Sequence, residues 1–226
     1  MADRFLDGRR IRRWGERTPL SDLEEVVFPL ELYWQVVAHA RRKLAGEHRP
    51  GEEQASKAYG LIGARLLKHA AQATHVFPLR RNARDDPEVK EEIDRLMEAY
   101  AIRSETPLDR RGWVTDPWEF MLADQECERA GSVLLGSYHM HRVPWEHDPV
   151  RDKCTAIDRQ LAERSGLWMF ILSMVDPHRP ILRAFFEGCN EREVTVRLAA
   201  PNEVVGLEAR TSGADDPIQT RRHTTI

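Results

Sequence analysis

The sequence predicts a mixed α/β layer fold. Three observations carry that expectation: short apolar runs bounded by turn residues, stretches with apolar residues at 3- and 4-residue spacing, and an alternation between the two along the chain. The chain has 226 residues, enough for one sizeable core with decorations. Lys and Arg total 34 against 37 Asp and Glu, so the broad basic field of a generic nucleic-acid binder is absent. No apolar run approaches the roughly 20 residues that span a bilayer. The start lacks the apolar stretch of a secretory signal, and three cysteines without CxxC spacing argue against a disulfide framework. These features point to a soluble cytoplasmic protein that binds neither nucleic acid nor membrane.

In chain order, residues 1–20 read as a mobile arm with a basic cluster at Arg9, Arg10, Arg12 and Arg13. From Ser21 to Leu44 the spacing of Val27, Leu30, Trp34 and Val37 predicts a helix, ended by Gly46, Pro50 and Gly51. AYGLIGARLL reads as a buried strand, and a second strand follows over 73–79. Val89, Ile93, Leu96, Met97 and Tyr100 mark an amphipathic helix over 86–103, with Asp86 as cap and Pro87 at its first position. Asp116–Pro117 opens another helix, which Gly131 closes. SVLLGSYHMH reads as a central strand, CTAIDRQLAERSG as a helix, LWMFILSMV as the most strongly buried strand, and ILRAFF and EVTVRL as two more. The main domain spans 21–200, and residues 201–226 read as a loosely held tail.

The chemistry concentrates at Gly136-Ser137-Tyr138-His139-Met140-His141. Two histidines one residue apart share a face of a strand, with backbones about 6.6 Å apart, so their rings can lean onto one ion. The pair is a weak motif by itself. Its position strengthens it: it ends a buried apolar strand and precedes a polar loop. Downstream, Thr155-Ala156-Ile157-Asp158 puts a carboxylate on the first turn of a helix. Two histidines, one carboxylate and an open position form a catalytic zinc arrangement.

These segments resemble the JAMM or MPN-domain metalloproteases, and especially their prokaryotic JAB-domain branch. That family carries Tyr-His-x-His at a strand end, then Ser-x-x-Asp at a helix start; here Thr155 takes the place of the serine. The resemblance spans about 55–190, including KAYGLIGARL and PLRRN upstream and LWMFILSMVDPHRPILRAFF downstream. It implies a three-layer α/β JAB-type domain with a mixed central sheet, here with an N-terminal helical extension and a flexible tail. It implies Zn²⁺ held by His139, His141 and Asp158, with Thr155 supporting the oxyanion. It also implies cleavage of a peptide or isopeptide bond at a protein tail, such as that of a ubiquitin-like or sulfur-carrier protein. The oligomeric state is left open.

The chain departs from the family where the glutamate base belongs. Lys57 stands three residues before Gly60, and a cation cannot take a proton from water. Glu53, through a helical or bulged lead-in, and Glu146, in the enlarged loop, are the candidate replacements; otherwise the protein is an MPN-like scaffold or interaction domain with impaired turnover. Arg142 replaces the family's proline, and the stretch from His141 to Asp158 is lengthened, with Trp145 as a contact residue and His147 as a candidate fourth ligand. Residues 86–110 also read as an insertion, suited either to core packing or to a partner. His139, His141 and Glu146 imitate the first metal motif of cupins, without its glycine and against the helical content.

Overall fold

Seven strands close on themselves in the computed structural model, which describes residues 20–102, 106–200 and 203. In chain order the elements are β1 (Glu25–Pro29), α1 (Leu30–Leu44), β2 (Tyr59–Leu66), β3 (Ala70–Pro78), α2 (Lys90–Tyr100), α3 (Pro117–Arg129), β4 (Val133–His141), α4 (Ala156–Ala162), β5 (Trp168–Ser173), β6 (Ile181–Phe186) and β7 (Glu193–Ala199). Around the barrel the order is β1-β3-β2-β4-β5-β6-β7. The three-layer α/β sandwich expected from the sequence is therefore wrong: the described residues form a closed mixed barrel with four α-helices on it. The expected arm and tail lie outside the described residues, apart from Leu20 and Glu203.

Closure depends on β1, which the helical reading of Ser21 to Leu44 missed. Val26, Val27 and Phe28 are consecutive and all fully buried, as a strand with both faces covered requires and a one-sided helix does not. Pro29 ends the strand and caps α1. β1 runs parallel to β3 on one side, Glu25 facing Ala70, and parallel to β7 on the other, Glu25 facing Thr195. Both sheet edges are thereby paired, which removes the exposed ladder groups that an open sheet would present.

α1 lays Tyr33, Val36, Val37 and Ala40 into a core shared with Phe28, Ile62, Leu135, Tyr138 and Phe170. The opposite face of the sheet carries two smaller clusters. Tyr59, Leu61 and Leu134 pack with Ala123 and Cys127 of α3; Met169, Ile171 and Phe185 pack with Ala162 of α4 and with Cys154. α3 opens as the sequence predicts, with Asp116 accepting from the amides of Trp118 and Glu119 and proline at the first position. α2 starts later than expected, at Lys90 with Val89 as its cap, while the Asp86 carboxylate pairs with Arg81 instead.

One irregularity in β4 sets the orientation of the histidines. Gly63 pairs with Leu134 but the preceding Ile62 pairs with Gly136, so Leu135 is an extra residue on β4. Without that bulge His139 and His141 would share the face of Val133 and Leu135, which point into the main core. The extra residue inverts the alternation, and the histidines emerge on the face of Leu134 and Tyr59. Bulges that re-aim a side chain recur beside active sites. Among the described residues no helix is long and apolar enough to cross a membrane.

Candidate metal centre

β4 and β5 are parallel, with His139 beside Ile171 and His141 beside Ser173. The crossover between them, over 142–167, carries α4 back across the end of β4. Asp158 on the first turn of α4 thus meets two histidines on the last residues of the strand. His139 Nε2 lies 3.1 Å from His141 Nε2 and 3.2 Å from Asp158 Oδ1, and His141 Nε2 lies 3.5 Å from Asp158 Oδ2. One ligand atom from each residue falls within 4.8 Å of the others. A tetrahedral ion at about 2.0–2.1 Å from two imidazole nitrogens holds them about 3.3–3.4 Å apart, close to the spacing here.

The surrounding bonds prepare these atoms as ligands. His141 Nδ1 lies 3.1 Å from the Arg151 carbonyl. A carbonyl only accepts, so Nδ1 carries the hydrogen and Nε2 keeps its lone pair for a metal. Burial lowers the His141 pKa, outweighing the attraction of Asp158, and so favours the neutral ring. Burial by itself would raise the Asp158 carboxyl; the charge and hydrogen bond of His139 outweigh it and hold Asp158 well below the usual carboxylate range. Thr155 and Asp158 form a reciprocal capping box, in which the Thr155 amide and hydroxyl each donate to Asp158 Oδ2 at 2.7 Å. In this geometry the Thr155 hydroxyl orients the Asp158 carboxylate. His139 Nδ1 is buried with no hydrogen-bond partner among the described residues.

A cleft of about 710 Å³ opens over these three residues. Trp113 forms part of its wall, stacked on Tyr59 with ring centres 5.1 Å apart and tilted 6.0 Å from the His139 ring. The 86–110 segment supplies another wall through α2. Buried Arg84 ties it down, bonding Asp94 and the carbonyls of Leu108 and Arg111.

Neither candidate base belongs to the His139, His141 and Asp158 group. The Glu53 carboxylate accepts from Lys57 at 3.1 Å, Tyr59 at 2.9 Å and Asn82 at 3.3 Å. Lys57 and Tyr59 line the cleft; Glu53 does not. Glu146 is exposed in the 142–154 loop and does not line it either, so the cupin-like trio is not assembled. His147 is also exposed, stacked on Trp145 at 5.4 Å, and stands apart from the ligand group. Besides Asp158, the carboxylates lining the cleft are Glu92 and Glu163. Sequence reasoning passed over these two and also Trp113, Arg111 and Arg151, because no local pattern distinguishes them from ordinary helix and loop residues.

Arg151 combines unusual features. It has a left-handed backbone, φ 54°, which costs a residue with a Cβ about 1–2 kcal/mol. Its amide donates to Asp148 at 2.8 Å, and its carbonyl is the one that fixes the His141 ring.

No family model and no curated protein matches this chain. Among solved structures it is similar to a solution structure of a Desulfitobacterium hafniense protein, with 21% identity, a TM-score of 0.51, and coverage of 77% of this chain and 93% of that one. It is also similar to a solution structure of a Salinibacter ruber protein, with 18% identity, a TM-score of 0.41, and coverage of 77% and 92%. The first likeness bears on the fold alone.

Proposed function

We propose that this chain is a zinc-dependent hydrolase of JAMM-like chemistry that cleaves a peptide or isopeptide bond in a protein or peptide substrate. The observation that carries the reading is the convergence of His139, His141 and Asp158 in a cleft, with the His141 tautomer and the Asp158 carboxylate both held by further bonds. The order Tyr-His-x-His then Thr-x-x-Asp supports the same reading. When bound, zinc would polarise the scissile carbonyl and lower the pKa of a water molecule. His139, His141 and Asp158 are its holders. Thr155 steadies Asp158, while Trp113 and α2 form walls of the cleft. A cytoplasmic location is part of the proposal, in keeping with three free cysteines.

One observation favours a second reading, an interaction domain with impaired turnover. The Glu53 carboxylate is held by Lys57, Tyr59 and Asn82, and absence of a general base typically costs about 10²–10⁴ in rate. Zinc content and cleavage separate the possibilities. Purified protein should carry about one zinc, lost in His139→Ala and in Asp158→Ala; protein that takes up none at neutral pH rules out both zinc readings. Cleavage of a protein tail with a C-terminal extension, abolished in the same variants, supports the hydrolase. Zinc without cleavage, with turnover emerging in Lys57→Glu, supports the impaired scaffold.

A further inference from the structure

The cleft over the three ligands is bordered by five cations, Lys57, Arg110, Arg111, Arg142 and Arg151, against three carboxylates, Glu92, Asp158 and Glu163. The chain as a whole carries a net charge of −3, so the sign reverses locally where a substrate would enter. Lys57 is matched by Glu53 at 3.1 Å, and Asp158 would be taken up by a metal.

Arg151 is the most deeply placed of these cations, only 7% exposed. Its guanidinium lies over Trp145, with Cζ 3.2 Å from the ring centre. One terminal nitrogen reaches the Val143 carbonyl at 3.3 Å. The Nε is buried without a hydrogen-bond partner, and the nearest carboxylate oxygen, from Asp148, is 3.9 Å away. A buried guanidinium with so few acceptors is poorly compensated, and its planar fork matches a carboxylate. Arg111 stands near enough to add its repulsion, and it spends one nitrogen on the Ile102 carbonyl at 2.6 Å. Trp113, Ile93 and Leu161 give the same cleft apolar wall.

We propose that Arg151, assisted by Arg111, seats a carboxylate of the substrate beside the metal ligands, so that the cleft selects an anionic residue next to the bond that is cut. The inference rests on the hydrolase reading above. The carboxylate is either the free α-carboxylate of a chain end or an acidic side chain, and an apolar portion of the same residue lies against Trp113.

Binding tests this without turnover. Zinc-loaded full-length protein is titrated by NMR with N-acetylphenylalanine, with its amide, and with N-acetylglutamic acid α-amide, which keeps only the side-chain carboxylate. At least one carboxylate should bind about tenfold to a hundredfold tighter than the neutral amide, the range of a charge-assisted pair; whichever acid binds better identifies the source. Arg151→Gln with parental zinc content should lose that preference, and Arg111→Gln should lose part of it. Acids and amide binding alike to the parent protein overturn the inference, as does a preference that Arg151→Gln and Arg111→Gln both leave intact. If Arg151→Gln does not fold, the parent comparison and Arg111→Gln decide. The zinc-free His139→Ala protein separates the two claims. A preference that survives there supports the carboxylate seat independently of the metal. One that vanishes with zinc while persisting in zinc-loaded Arg151→Gln is direct ligation of the metal and overturns it. A parent that takes up no zinc overturns the hydrolase reading and leaves the Arg151 result standing.

Discussion

His39 Nδ1 sits 2.8 Å from the Tyr138 hydroxyl, and its Nε2 is buried with no partner among the described residues. Burial first, and then the Arg42 charge, pull this imidazole from 6.5 down to about 4. The unfolded chain therefore takes up a proton near 6.5 that the fold refuses until about 4. Stability is complete above about 6.5 and drains as the pH falls toward about 4, by about 3 kcal/mol for this one group. Urea unfolding at several pH values between 7 and 4 measures that slope. His39→Gln should flatten it, and an unchanged slope counts against the assignment. Thr155 is the second residue whose single contacts matter. Thr155→Ala should cost about 1 kcal/mol of stability through the lost cap and about 10- to 100-fold in zinc affinity through the freed Asp158. Thr155→Ser should retain both, as read by unfolding and by competition with a chromophoric chelator.

At the level of elements, β4 owes its chemistry to one extra residue. An alternating strand reading places His139 and His141 with Val133 and Leu135, yet the bulge at Leu135 turns them out toward α4. The pair itself was legible; the face it occupies was not, because a bulge is a property of the pairing with β2. The capping box at Thr155–Asp158 was legible as a helix start, since its bonds span only three residues. The 86–110 segment read correctly as amphipathic but gave no sign of its anchor. Arg84 is 1% exposed and holds α2 and the stretch around Leu108 together. Arg84→Met strands two carbonyls at about 1–3 kcal/mol each. Amide exchange over 90–111 should then quicken by about tenfold or more while β4 and β5 stay protected; uniform loss of protection would mean that Arg84 supports the whole barrel instead.

For the whole molecule, closure through β1 is the decisive feature. Five residues cover the edges of both β3 and β7. Removing residues 1–29 should leave two open ladders and drive the protein into oligomers, detected by light scattering after size exclusion; a monomeric, zinc-binding truncation would show that closure is dispensable. Val27→Asp, which sets a charge at a fully buried position on that strand, should have the same outcome at full length.

By itself the sequence determined where most strands and helices lie, and it singled out the three side chains that the fold brings together, because periodicity, caps and a His-x-His spacing are written in neighbouring residues. Tertiary structure alone decided that the sheet closes, that β1 is a strand, which way the histidines point, and that Arg151 stands beside them while Glu53 is held by Lys57 and Tyr59. Those outcomes depend on hydrogen-bond register between segments far apart in the chain, such as Glu25 with Thr195, and no local pattern encodes a distant partner.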